Sequence, residues 1–262
     1  MSALLDRLQA GVPVEEPVAL VVAHPDDETV GLGSRLACFG RLTLIHLTDG
    51  APRDLGDARR SGFADWQSYA AAREAELVRA LAGLGAEPIR HRRYRVADQQ
   101  AILALDAIVD RLTHDLAEVA AVITHSFEYG HPDHDTAALA VALACQALGG
   151  RGAAPARFEF AGYHLGEAGP VLGRFRADLR CPEVRIALSP LEHARKRDAL
   201  ACFATQADML AQFPVAPERL RPAPTYDFAE PPGSSFYDRF GWDMTAALWR
   251  QAALHARQPQ PA

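Results

Sequence analysis

The chain has 262 residues, 49% of them hydrophobic, with 27 basic and 33 acidic side chains and a net charge of −6. This length and composition fit one large domain over residues 1–262 with a substantial core, and the acidic balance excludes an electrostatic nucleic-acid footprint. Residues 1–16 contain no apolar leader and no run of membrane-spanning length, and the four scattered cysteines form no C-x-x-C pair. The expectation is therefore a cytoplasmic protein with reduced thiols and no stable membrane association.

In chain order, residues 3–8 read as a short helix and residues 17–23 as a buried strand, because 18–22 are uninterruptedly apolar. A helix over 28–39 follows, weakened by Gly31 and Gly33. A second strand over 41–47 leads into Thr48-Asp49-Gly50. The polar loop 51–65 is long for a strand-to-helix connection, so it is expected to shape a site mouth. A helix over 66–84 ends at Gly85. A third strand spans 88–96, a helix 98–116, a fourth strand 119–123 and a further helix 132–148. Strands over 157–163 and 183–188 and a helix over 190–210, capped by Ser189, come next. Frequent prolines in 213–232 predict a segment without regular structure, and 243–256 reads as a last helix; 258–262 is a short biased tail.

Alternating strands and helices predict an α/β, Rossmann-like fold: a mostly parallel sheet with helices on both faces and an irregular C-terminal extension. Right-handed crossovers put the strand ends on one edge. The first strand ends in Ala23-His24-Pro25-Asp26-Asp27-Glu28, and the fourth is followed by His125 and Glu128-Tyr129-Gly130-His131-Pro132-Asp133-His134. If the two strands are neighbours, these turns face each other across a crevice. Adjacent carboxylates repel unless a positive group sits among them, and a divalent cation bound by His24 and one Asp meets that need. The spacing of His24 to Asp27 recurs in His131 to His134, so either of the latter histidines can complete a His₂Asp site with an open position. Zinc in such a site gives metal-assisted amide hydrolysis; Fe²⁺ in the same donors gives an oxygenase.

With Thr48-Asp49-Gly50, the two motifs resemble the PIG-L / LmbE-like family of zinc-dependent N-acetylglucosaminyl deacetylases, over roughly residues 18–148 and more weakly 196–206. The resemblance implies one Zn²⁺ per chain, with Fe²⁺ as the alternative, held by His24, Asp27 and His134. It implies Asp26 as the base and His131 as the acid or electrostatic partner. Arg73 falls at a substrate-binding arginine, and Tyr129 at a tyrosine near the scissile carbonyl. Asp49 is read either as a ligand- or substrate-orienting group or as the start of an Asx turn. The resemblance departs at Ala204-Thr205-Gln206, where a Ser-Gln ending is commoner. His125 and His164 end strands on the site edge and are read as structural, and His46 as a packing residue. The expected activity is N-deacetylation of a small amino-sugar conjugate. An iron oxygenase with the same triad and a non-catalytic sugar- or nucleotide-binding module are the alternatives.

Overall fold

The computed structural model describes residues 3–86, 89–177 and 181–256. The start of the expected third strand at Pro88 and the tail 258–262 lie outside them. Five parallel strands form the sheet core: β1 (Val18–Val22), β2 (Leu42–Thr48), β3 (Arg90–Val96), β4 (Ala121–His125) and β5 (Ala156–Phe160). Two antiparallel strands, β8 (Val184–Ile186) and β9 (Glu218–Pro222), extend it in the order β3-β2-β1-β4-β5-β9-β8. A hairpin of β6 (Tyr163–Gly166) and β7 (Gly169–Leu172) stands apart as a second sheet.

The β1 sequence Val-Ala-Leu-Val-Val is buried throughout, because a central parallel strand loses both faces to helices. Alternation divides it. Val18, Leu20 and Val22 enter one core cluster with Leu77 and Leu81 of α4 (Trp66–Leu84) and Ala199 of α7 (Pro190–Leu200). Ala19 and Val21 enter the other, with Ile108 of α5 (Leu105–Asp115), Leu139 of α6 (Pro132–Gly149) and Trp249 of α9 (Ala246–Ala256). Each fully buried aliphatic side chain contributes about 1.5–3 kcal/mol of transfer free energy, so both faces hold the sheet.

The sequence expectation holds for the α/β class, and the helix over 66–84 has the bounds expected. Several elements differ; the helix expected over 190–210 stops at Leu200 and the one over 98–116 begins as a 3₁₀ turn (Ala101–Ala104) before Leu105–Asp115. The expected helix over 28–39 divides into α2 (Asp27–Leu32) and a 3₁₀ turn (Gly33–Cys38). A Cβ on Gly31 would lie 2.4 Å from the Phe160 ring, so the sheet packs directly against this helix. The strand expected over 157–163 stops at Phe160, and Tyr163 begins the separate hairpin. The proline-rich segment is not wholly irregular: Glu218–Pro222 is inserted as β9 between β5 and β8. Its prolines sit at 217 and 222, outside the hydrogen-bonded middle, where they remove no interior ladder bond. Among the described residues no helix is long and apolar enough to cross a membrane.

Candidate active site

Chain order reverses between β1 and β4, which lie side by side. A crevice opens there at the carboxyl ends of the strands, and both histidine-bearing turns border it. The first turn is tightly built. His24 N–H donates to Asp27 Oδ2 at 2.7 Å, and Asp26 N–H to Glu28 Oε2 at 3.1 Å. Glu28 also receives His46 Nε2, whose other nitrogen meets His91 at 2.8 Å, so His46 braces the turn from within the sheet. Asp26 adopts φ +145°, a conformation that costs a non-glycine residue of order 1–3 kcal/mol.

The second turn places His131 at the N-cap of α6, its Nδ1 accepting the Asp133 N–H. A neutral His131 therefore carries its proton on Nε2, which faces Asp98 Oδ1 at 3.6 Å. His134, one turn into α6, brings Nε2 to 3.2 Å from Asp27 Oδ1 and 3.3 Å from His24 Nδ1. His24 Nδ1 lies 3.3 Å from Asp27 Oδ2. His24, Asp27 and His134 thus close a triangle of facing donor atoms. Behind it, His24 Nε2 meets Asp98 Oδ1 and Asp133 Oδ2, both at 3.3 Å, so a cation bound at Nδ1 would leave the ring's one proton on Nε2.

All of these groups are buried, and their protonation follows from their neighbours. Burial pushes Asp26 up to about 8 against the pull of Arg73, and the Asp27 charge adds to the rise. Burial opposes the Asp27 charge too, but His134 and His125 outweigh it and hold that carboxyl well below its usual range. Burial disfavours the His24 cation, yet Asp98, Asp133 and Asp27 raise it well above 6.5. Burial and the neighbouring His24 depress His131. The donor chemistry fits a divalent cation: His24 Nδ1, His134 Nε2 and the Asp27 carboxylate converge, each within 3.3 Å of the next.

A cavity of about 750 Å³ leads to this cluster. Of the residues singled out in the sequence, His24, Asp26, Asp27, Arg73, His131 and His134 line it. Arg73 reaches from α4 to Asp26 Oδ2 at 2.7 Å and to the carbonyls of Pro25 and Gly50. The loop expected to shape the mouth supplies Asp57, Arg60, Ser61 and Phe63. Of residues 213–232, only Phe213 lines the cavity.

Two of the expected site residues do not line the cavity. Tyr129 does not line the cavity; its ring packs against Phe127, Tyr237 and Trp249 at 5.3, 5.9 and 6.1 Å, inside the apolar cluster under α6 and α9. Tyr163 lines it instead, its ring 5.3 Å from that of His134. Asp49 is also off the cavity. It accepts the Ala51 N–H in an Asx turn and pairs with Arg53 at 2.7 Å. His125 sits behind the triangle, stacked on His134 at 3.9 Å and 3.3 Å from Asp27 Oδ2, and His164 faces Glu128 at 3.7 Å. Sequence reasoning missed Asp98. One signal was present: an acid just beyond the third parallel strand, on the edge where the other two turns lie.

Comparison with known proteins bears out the resemblance read from the motifs. Residues 19–145 match the sequence profile of the PIG-L family, described as GlcNAc-PI de-N-acetylase. The chain is 31% identical over 173 residues to a 1D-myo-inositol 2-acetamido-2-deoxy-alpha-D-glucopyranoside deacetylase of Corynebacterium jeikeium, covering 52% of each protein. It thus spans about half the length of the curated relative it matches. Among solved structures, an antimicrobial pseudoaglycone deacetylase superposes with a TM-score of 0.59 at 20% identity, over 80% of this chain and 97% of that one. The 4-carboxy-2-hydroxymuconate hydratase of Pseudomonas putida superposes at 0.54 with 22% identity, over 74% and 82%. At these identities the structural likeness concerns the fold alone.

Proposed function

We propose that this chain, PIG-L-like over residues 19–145, is a metal-dependent hydrolase that removes the N-acetyl group from a small amino-sugar conjugate. The observation that carries the reading is the triangle of His24 Nδ1, Asp27 and His134 Nε2, with the second acid, Asp26, beside it on the cavity wall.

His24, Asp27 and His134 would hold the ion. Zinc there supplies a Lewis acid and an acidified water near neutral pH, and Fe²⁺ suits the same donors. Asp26 is the group placed to take a proton. Arg73 fixes its Oδ2, and no hydrogen bond ties Oδ1 among the described residues. Asp26 would be kept a base, against the effect of burial, by a dication held at His24, Asp27 and His134. His131, lining the cavity with its Nε2–H 3.6 Å from Asp98 Oδ1, is held neutral by burial and His24 and is placed to stabilise an oxyanion as an N–H donor. Tyr163 is buried, and burial keeps its phenol protonated, so it stands as a donor in the same cavity. The relative from Corynebacterium jeikeium, by its name, deacetylates an inositol-linked acetamido sugar, which supports the substrate class. Cys38, Cys145 and Cys202 are thiols, in keeping with a cytoplasmic location.

The test is acetate release from a panel of N-acetylglucosaminyl conjugates by the zinc-loaded protein without dioxygen. Acetate in step with free amine supports the proposal. No acetate from any conjugate, or release only with iron and dioxygen, overturns it.

A further inference from the structure

The cavity has two chemically different walls. The wall bearing the histidines and Arg73 belongs to the matched stretch 19–145, and it is polar. The other comes largely from the chain beyond it: Tyr163, Met209, Leu210, Phe213, Phe240 and Trp242. These aromatics form a connected set. The Trp242 ring lies 4.9 Å from His131 at 63° and stacks on Phe240 at 4.9 Å and 24°. Phe240 meets Phe236 at 5.0 Å, Phe236 meets Tyr163 at 5.7 Å, and Tyr163 meets Phe213 at 5.7 Å. Phe236 does not line the cavity, but Trp242 and Phe240 do, and they run from His131 to solvent, where Phe240 remains 49% exposed. A benzyl side chain left half in water beside a binding site is a surface that gains by being covered.

Size and charge narrow what would cover it. A cavity of about 750 Å³ lies in the range that takes a drug-sized ligand, well beyond one hexose ring. The lining cations are Arg60 and Arg73, and both are paired, with Asp57 and Asp26. The lining carboxylates are Asp26, Asp27, Asp57, Glu76, Asp98 and Asp208. With the proposed dication in place, the six lining carboxylates still outweigh the positive charge of that ion, Arg60 and Arg73, so the cavity disfavours a phosphate.

We infer that this aromatic wall is an aglycone subsite, and that it selects N-acetylhexosamine conjugates carrying an uncharged aryl group over those carrying a phosphate. The inference rests on the proposed deacetylase reading and deepens it. The sugar's acetamido group is directed to the histidine cluster, and the aryl group lies along Trp242 and Phe240. Offset or edge-on packing of one further ring against this pair adds to the area it buries.

The experiment compares phenyl N-acetyl-β-D-glucosaminide, free N-acetylglucosamine and N-acetylglucosamine 1-phosphate with the zinc-loaded protein. Turnover is followed by acetate release and binding by quenching of tryptophan fluorescence. The phenyl glycoside is expected to exceed both others by about tenfold in kcat/KM, mainly through KM. The ratio of phenyl glycoside to free sugar should fall about tenfold in Phe240→Ala and Trp242→Ala and be kept in Phe240→Tyr. Turnover of the free sugar without aryl preference, or a ratio unchanged in both alanine variants, overturns the subsite and leaves the deacetylase reading standing. If no compound releases acetate, the deacetylase reading fails. The subsite is then decided by binding: tighter quenching by the phenyl glycoside than by the 1-phosphate, lost in Phe240→Ala, supports it, and equal or weaker quenching overturns it.

Discussion

Arg73 Nη2 lies 2.7 Å from Asp26 Oδ2, deep in the crevice, with both side chains largely removed from solvent. The arginine that family resemblance casts as a substrate contact is thus already engaged with the proposed base. Its guanidinium also holds the carbonyls of Pro25 and Gly50, tying the turn after β1 to the turn after β2.

That pairing predicts a large stability effect. Arg73→Ala leaves Asp26 buried without its cation and two carbonyls without their donor, and should cost about 3–5 kcal/mol. Arg73→Lys keeps the charge but cannot span all three acceptors, so it should fall between wild type and alanine. Urea unfolding checks both. A loss under about 1 kcal/mol for the alanine variant would mean that the pair contributes little to the fold.

The adjacent acids should separate into base and ligand. Asp26→Asn is expected to retain zinc and lower kcat by about 10²–10⁴. Asp27→Asn removes the carboxylate charge facing both His24 and His134 and should lose metal on dialysis against a weak chelator. Metal analysis alongside kinetics decides it. An Asp26→Asn protein that loses zinc while Asp27→Asn keeps it would reverse the roles.

Metal binding should also be visible without any substrate. If zinc binds the folded site and not the scattered ligands of the unfolded chain, a hundredfold excess over Kd should stabilise by about 2.7 kcal/mol. Calorimetry should show a raised Tm in wild type and little change in His134→Ala. An equal rise in both would place the bound ion elsewhere.

Gly130 carries a packing prediction. A Cβ there would lie 2.0 Å from the Tyr163 carbonyl oxygen, a backbone atom that cannot swing aside. Gly130→Ala should push the β6 hairpin from the turn before His131 and cost about 1–3 kcal/mol. It should also weaken substrate binding, because Tyr163 lines the cavity. A Tm equal to wild type would refute so close an approach.

Glu159 gives a pH dependence. Burial raises its carboxyl from the ordinary 4.5 to about 7, against the pull of Arg221, 2.6 Å away, and of Tyr226. The folded state therefore holds a proton that the unfolded chain has released. This contribution to stability is complete below about pH 4.5 and is lost as pH rises through about 7. Glu159→Gln removes the titration, so the stability difference between wild type and variant should move in favour of the variant from pH 5 to pH 8. Denaturant midpoints that keep a constant difference over that range would show Glu159 ionised throughout.

Much of this protein was legible from residues close together in the chain. The apolar run 18–22, the strand–helix alternation, and the acids and histidines three positions apart are local patterns. Local patterns reflect the periods of strand and helix and the reach of a single turn, so they carried the α/β class and the histidine-bearing turns. The partners of those turns were not legible in the same way. Asp98 follows β3, Tyr163 opens a hairpin and Trp242 lies more than a hundred residues from His131, and no period links them. Tyr129 shows the converse: it is two residues from His131, yet its ring points into the aromatic cluster. The sheet order, with β1 beside β4 and β9 inserted next to β5, brought these distant segments together or kept near ones apart. Sequence alone determined which chemical groups are available at the strand ends. Only the tertiary structure decided which of them share the cavity, because that depends on the burial of apolar faces spread along the whole chain.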